Sequence, residues 1–336
     1  MNTTVFGIDL GTYNIKLYHA LTDDILVEKN MIAIENRKTM IAYGDEAYEM
    51  YEKAPASIQV SSPIVSGVIA DIHNMETLLN AFVKQASHGS LKAGDFYVTV
   101  PSDITEVEKR AFSDLIKDAK IKAKKVYAVD KAIADGLGMG IDVKNSQGVL
   151  IVDVGYDTTE ISILSLGGIV LSRLIKVGGH SFDASIVSAV RREFNLVIGM
   201  KTAEKVRMFY NDIDHLDDTC SIFGRDIVTG LPVERTLNST FVAETLSENF
   251  RTIADSIRLI LEKTPPELAA DIYRHGVFLT GGGSMEEGLA QEINLEVSLP
   301  VNLSENPLTC AVIGLSQVMK RSNYRSLAYT IEVLGK

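Results

Sequence analysis

Two short segments carry aspartate and glycine in the same order. Near the start stands Val5-Phe-Gly-Ile-Asp9-Leu-Gly11-Thr12-Tyr13-Asn14, and in the middle Val149-Leu-Ile-Val-Asp153-Val-Gly155-Tyr156-Asp157-Thr158-Thr159. Each is an apolar run that reaches Asp-x-Gly, passes a short polar turn and continues into a second apolar run. Gly11 and Gly155 lack a Cβ, so the chain can turn sharply there and anionic oxygens can approach its N–H groups. Thr12, Asn14, Thr158 and Thr159 add short donors. Asp9 and Asp153 are hard oxygen ligands suited to Mg²⁺, chiefly through its waters. One such turn is an ordinary hairpin. Two of them at a domain-length separation point to a duplicated phosphate-binding device.

A third segment, Thr280-Gly281-Gly282-Gly283-Ser284, follows the apolar run 276–280. Three glycines leave a bare backbone against which a flat ring or a ribose phosphate can lie. Ser284 and Glu287 have capping-box spacing, so a helix is expected to open there. No Gly-x-x-x-x-Gly-Lys-Ser/Thr loop occurs, and no dinucleotide fingerprint.

The elements needed to hold these turns follow from periodicity. Helices are expected over 75–86, from the Thr105–Glu108 capping box to about 119, over 131–139 and over 182–194. Thr264-Pro-Pro-Glu267 reads as a capped start with prolines in the first turn. Strands are expected at 96–100, 126–129, 169–177 and 276–280, and short polar connections and helices over 200–262. Helices alternate with strands in both halves, which predicts α/β layers with the ligand cleft at the strand ends between the halves.

Composition sets the outer bounds. The 336 residues are 46% hydrophobic and 23% charged, ordinary for a globular protein of about two domains. A net charge of −11 argues against a uniformly basic nucleic-acid surface, and no nucleic acid is expected as a partner. Cys220 and Cys310 form no framework or C-x-x-C pair. The first ten residues lack a signal-peptide pattern, and no run of 18 uncharged apolar residues occurs, so a cytoplasmic location is expected. The six histidines lack metal-ligand spacing, and Asp212, Asp214, Asp217 and Asp218 read as a solvated acidic loop.

With these motifs in place, the chain resembles the actin-like ATPases and, within them, the bacterial rod-shape family of MreB and Mbl. The segments that carry the resemblance are Gly7–Thr12, Gly67–Asp71, Ile104–Ala111, Val177–Gly179, Gly224–Pro232, Leu261–Ile272 and Leu279–Gly283. The resemblance implies two duplicated RNase H-like α/β domains around a cleft for ATP or ADP with Mg²⁺. The first is placed at 1–142 plus 318–336, with a small subdomain near 31–70. The second is placed at 143–317, with a small subdomain near 180–245. It further implies self-association into membrane-apposed protofilaments that guide cell-wall synthesis, with paralogous MreB-type subunits and cell-wall elongation membrane proteins as partners. By position, Gly11, Thr12, Tyr13 and Asn14 match the first phosphate loop, and Asp153 with Gly155, Tyr156, Asp157 and Thr158 match the second. Glu204 and Arg207 fall where the family contacts adenine and ribose, while Gly282, Gly283, Ser284 and Met285 close the far side.

Two departures fall on the chemistry. The family's second loop usually reads Asp-Ile-Gly-Gly-Gly-Thr-Thr, whereas this one has Tyr156 and Asp157 in place of two glycines. A carboxylate there repels polyphosphate unless a cation intervenes. The family's Glu-Glu-Pro becomes Asp130-Lys131-Ala, so the position expected to orient the attacking water is a lysine, which when charged accepts no proton. Lys131 is expected to pair with the γ-phosphate or with Asp157, and Asp130 is the substitute acid. Nucleotide binding with weak or slow hydrolysis is the resulting expectation. The loop 87–94 offers only Leu91 as a wedge for weak peripheral membrane contact. A non-hydrolysing modulator that copolymerises with a typical paralogue is the alternative. A sugar-kinase-like phosphotransferase and a chaperone-like ATPase rank below it, the latter because no peptide-binding module is recognised.

Overall fold

In the computed structural model, which describes residues 4–89, 93–211 and 219–331, the two Asp-x-Gly segments are the hearts of two five-stranded sheets. In the first, Thr4–Leu10 pairs antiparallel with Asn14–His19, which pairs antiparallel with Asp24–Lys29. On its other side Thr4–Leu10 runs parallel to Gly94–Val100, and that strand parallel to Ala123–Asp130. The second sheet repeats this plan strand for strand. Val149–Val154 and Thr159–Ser165 form the hairpin, Gly168–Ile175 completes the meander, and Val277–Thr280 and Val301–Leu303 are the parallel neighbours. Val149–Val154 is buried at every residue, as expected of a central strand covered on both faces.

Helices Lys131–Gly138 and Cys310–Lys320 cross between the sheets. A Cβ on Gly314 would overlap the Ala134 carbonyl oxygen, and one on Gly138 would overlap that of Cys310, so the two backbones touch directly. Around the crossing, Val129 of the first sheet and Ile151 and Leu164 of the second join Ala134, Leu315 and Val318 in one core. Each sheet has a separate core of its own.

A small subdomain rises from each half. In the first, Thr39–Tyr43, Ile32–Glu35 and Ile58–Ser61 form a three-stranded sheet beside the helix Gly44–Met50. In the second, Leu196–Val197, Cys220–Asp226 and Pro232–Leu237 pair next to helices Met200–Tyr210 and Ser239–Leu261.

Most expected elements form within a few residues of their predicted bounds, and the Thr105–Glu108 capping box closes from both sides. Three expectations need correction. Ser284 opens no capping box: its hydroxyl donates to the Gly281 carbonyl at 2.7 Å, and the next helix, Leu289–Val297, starts after Gly288. Thr264 does not cap Pro266–His275, because its hydroxyl donates back to the Ile260 carbonyl of the preceding helix. The stretch 200–262 holds the hairpin Cys220–Leu237 and a 23-residue helix in addition to short connections. Leu91 and the acidic cluster at 212–218 lie outside the described residues.

Candidate functional site

The two hairpin turns face one cleft of about 270 Å³ between the halves. Asp9, Gly11, Thr12, Tyr13 and Asn14 line it from the first half, and Asp153, Gly155, Tyr156, Asp157 and Thr158 from the second. Lys131, Glu204, Arg207, Gly282, Gly283 and Met285 complete the expected set on its walls. Ser284 and Asp130 are not on them. Ser284 is buried on Gly281, and the Asp130 carboxylate accepts the Tyr329 hydroxyl at 2.8 Å from the returning C-terminal segment.

Both turns are tightly built. Asn30, fully buried, donates its amide to the Gly11 carbonyl at 2.9 Å, and the Ser62 hydroxyl donates to that of Thr12 at 3.0 Å. In the second turn the Gly155 N–H donates to the Thr158 carbonyl at 2.8 Å. The helix Gly179–Phe194 offers its first N–H groups to the turn, Gly179 to the Gly155 carbonyl and His180 to that of Tyr156. The triple glycine is a packing requirement as well as an open wall. Gly281 has φ +87°, and a Cβ there would strike the Asp153 carboxylate, while one on Gly283 would strike Val154.

The carboxylates are met by lysines. Lys16 reaches Asp9 Oδ2 at 2.9 Å, and Thr99 donates to Oδ1 at 2.7 Å. Burial alone would raise the Asp9 pKa, but Lys16 and Lys131 outweigh it and hold the carboxyl below its usual range. Lys131 reaches Asp153 Oδ2 at 2.5 Å. Its own pKa stands well above normal: burial works against the charge, and Asp153, Asp9 and Asp135 more than offset it. The expected pairing of Lys131 with Asp157 does not form. Asp157 instead accepts the Ser66 N–H at 2.7 Å and faces the His180 ring at 3.7 Å, so it joins the first small subdomain to the second half.

Two acids escaped the sequence reading. Asp135, one helical turn beyond Lys131, is buried with Oδ2 unpartnered, and burial together with the Asp153 charge drives its pKa well up. Glu160 stands opposite Asp153 in the hairpin register and accepts the Ser102 hydroxyl from the first half at 2.5 Å. Burial lifts its pKa to about 7. Register supplies the signal that finds Glu160, because Lys16 holds the same place opposite Asp9.

Aromatic rings gather beside the two turns. The Tyr13 ring stacks on Tyr156 at 4.4 Å, and Lys29 sits 3.7 Å above the Tyr13 ring. Tyr13 and Tyr48 both donate their hydroxyls to Glu204, one to each carboxylate oxygen. Burial, then the Glu204 hydrogen bond, pushes both phenols above their usual range. Arg207 is clamped between Asp183 and Glu286, and the desolvation of Asp183 outweighs the arginine, raising its pKa to about 6. Glu52 accepts the N–H groups of Met200 and Lys201 at 2.9 and 3.3 Å, so it caps that helix from the opposite half.

Chemically, this is a cleft with two glycine turns suited to phosphate, two lysines and a pair of stacked tyrosines beside them, and no anionic side chain at position 131. Comparisons agree with that reading. The model of the MreB/Mbl protein family matches residues 3–326. The cell shape-determining protein Mbl of Bacillus subtilis (strain 168) is 37% identical over 316 residues, covering 92% of this chain and 93% of the relative. MreB of Escherichia coli (strain K12) is 34% identical over 317 residues, with 92% and 91% covered. Among solved structures, MreB5 of Spiroplasma citri bound to AMPPNP superposes with a TM-score of 0.90 at 33% identity, covering 97% and 98%. The MamK double helical filament subunit, at 21% identity and a TM-score of 0.76 over 95% and 99%, shares the fold. Repeated sheets, facing hairpins and a match across nearly the whole chain converge: this chain is a member of the MreB/Mbl family of actin-like proteins.

Proposed function

We propose that the chain binds ATP or ADP in the cleft and assembles with copies of itself into filaments that act in bacterial cell shape. The observation that carries this is the pair of glycine turns facing one another across a single cleft, with Gly282 and Gly283 as the open wall beside them. The Spiroplasma citri relative, solved with AMPPNP and with ADP, supports the nucleotide. Hydrolysis is weak or slow in this reading, because Lys131 cannot orient a water as an anion would. The Lys131–Asp153 pair also supports the second reading, a non-hydrolysing subunit that copolymerises with a paralogue.

Assembly needs a surface, and the hairpin Cys220–Leu237 offers one. Phe223, Val228 and Leu231 are 67%, 82% and 62% exposed, an apolar cluster of the kind that marks interaction sites. A second copy of the chain is its proposed occupant, and membrane proteins of wall elongation are proposed as further partners. The decisive experiment measures nucleotide affinity, phosphate release and filaments by electron microscopy in ATP, ADP and neither. ATP-dependent filaments with little phosphate release fit the proposal. Absence of nucleotide binding ends it.

A further inference from the structure

Asp9 and Asp153 are the two carboxylates placed to receive a divalent ion, and each is already paired with a lysine. On Asp9, Oδ2 is held by Lys16 at 2.9 Å and Oδ1 by the Thr99 hydroxyl at 2.7 Å. On Asp153, Oδ2 is held by Lys131 at 2.5 Å, and Oδ1 lies so close to the Gly281 backbone that even a Cβ there would collide with it. A Mg²⁺ ion needs octahedral room for six oxygens at about 2.0–2.1 Å, several of them waters that carboxylates would hold in turn. Here it would have to displace an ammonium group or sit beside one. Among the described residues no three acidic, histidine or cysteine side chains are grouped to hold a metal.

The ammonium groups themselves stand where the ion would stand. Lys16 and Lys131 both line the cleft beside the two glycine turns, each paired with the aspartate of a different half. An ammonium has three donors. With one spent on its aspartate, each lysine keeps others for phosphate oxygens, as a point charge suited to them. We propose that Lys16 and Lys131 replace the divalent metal beside the phosphates, so that this cleft takes ATP and ADP without magnesium. The inference rests on the nucleotide reading above and deepens it: the nucleotide is bound with or without magnesium, and Lys131 is a binding residue that makes the ion dispensable.

Titration calorimetry of the full chain with ATP, in excess magnesium and in excess EDTA, tests it. The dissociation constant is expected to differ by less than about threefold between the two media, whereas a loss of about tenfold or more in EDTA overturns the proposal. Lys131→Gln should weaken binding in EDTA by about tenfold and recover part of it when magnesium is added, because Asp153 is then free to attract the ion. Lys131→Arg keeps the charge and should stay insensitive to magnesium. If Lys131→Gln binds in EDTA as tightly as the unaltered chain, the lysine carries no such role and the proposal fails. Lys16→Gln, at the other aspartate, gives an independent reading should Lys131→Gln fold poorly, and it should likewise weaken binding in EDTA. Binding only with magnesium overturns this inference and leaves the nucleotide reading standing. Binding in neither medium overturns both.

Discussion

The two hairpins share backbone plan, register and the Asp-x-Gly turn, yet they neutralise their aspartates in opposite ways. In the first, Lys16 stands directly opposite Asp9 on the paired strand, so charge and counter-charge belong to one hairpin. In the second, the equivalent place opposite Asp153 is Glu160, and the counter-charge comes from Lys131 in the other half. A pair inside one hairpin is indifferent to the distance between the halves. A pair across the cleft exists only while the halves are together. The same frame therefore carries a local ion pair in one half and an interlobe one in the other, and the difference lies at one register position.

Five substitutions would break or sharpen this contrast. The largest effect belongs to the crossing that keeps the halves in register. Gly314→Ala should cost roughly 3–5 kcal/mol in urea unfolding, because its Cβ would overlap the Ala134 carbonyl oxygen and the helices must separate. Lys131→Met comes next, at about 3 kcal/mol, since it strands a buried Asp153 near Asp135. Lys16→Met should cost about half as much, because Asp9 retains the Thr99 hydroxyl. Equal losses would erase the distinction between the two pairs.

The pH dependence separates the hairpins further. Glu160 has its folded pKa raised to about 7 by burial, so between its unfolded value near 4.5 and pH 7 the folded state holds the extra proton. Stability contributed by that proton is present at low pH and is lost as pH rises through this window. Glu160→Gln should remove up to about 2–3 kcal/mol of the fall in stability between pH 5 and pH 7, followed by urea titration at each pH. A slope unchanged by the substitution would place the titration elsewhere. The smallest effect is expected at the mouth of the cleft, where Tyr48→Phe deletes one hydroxyl from Glu204 and should cost about 1 kcal/mol, read as a modest drop in Tm.

The sequence made the frame legible because duplication is a long-range signal. Asp9-Leu-Gly11 and Asp153-Val-Gly155 located both central strands and the cleft, and the Thr105–Glu108 box fixed a helix start. What stayed hidden depended on side chains meeting across the chain. Lys131 is expected to pair with the γ-phosphate or with Asp157, but which aspartate a helix-borne lysine meets is a matter of tertiary placement, and here it is Asp153. Ser284 has capping-box spacing, yet its hydroxyl is spent on Gly281, because the close approach of that glycine to Asp153 shapes the turn first. The hairpin Cys220–Leu237 was missed since its exposed Phe223 and polar neighbours give no clean alternation. Glu160 required the register of a pairing that only the folded hairpin displays.

The glycine crossing at Gly138 and Gly314 also bears on motion. At Gly314 the two helices meet backbone to backbone and cannot approach any further, and the Cys310 thiol donates across the contact to the Asp135 carbonyl at 3.2 Å. Such a junction works like the pin of a pair of scissors: it permits swing, forbids compression, and converts a slight parting at the phosphates into a much larger sweep at the distant tips. In a filament, where each subunit is seated on the next, that leverage would set the twist between neighbours, so a methyl group added at the pin would be felt along the whole strand.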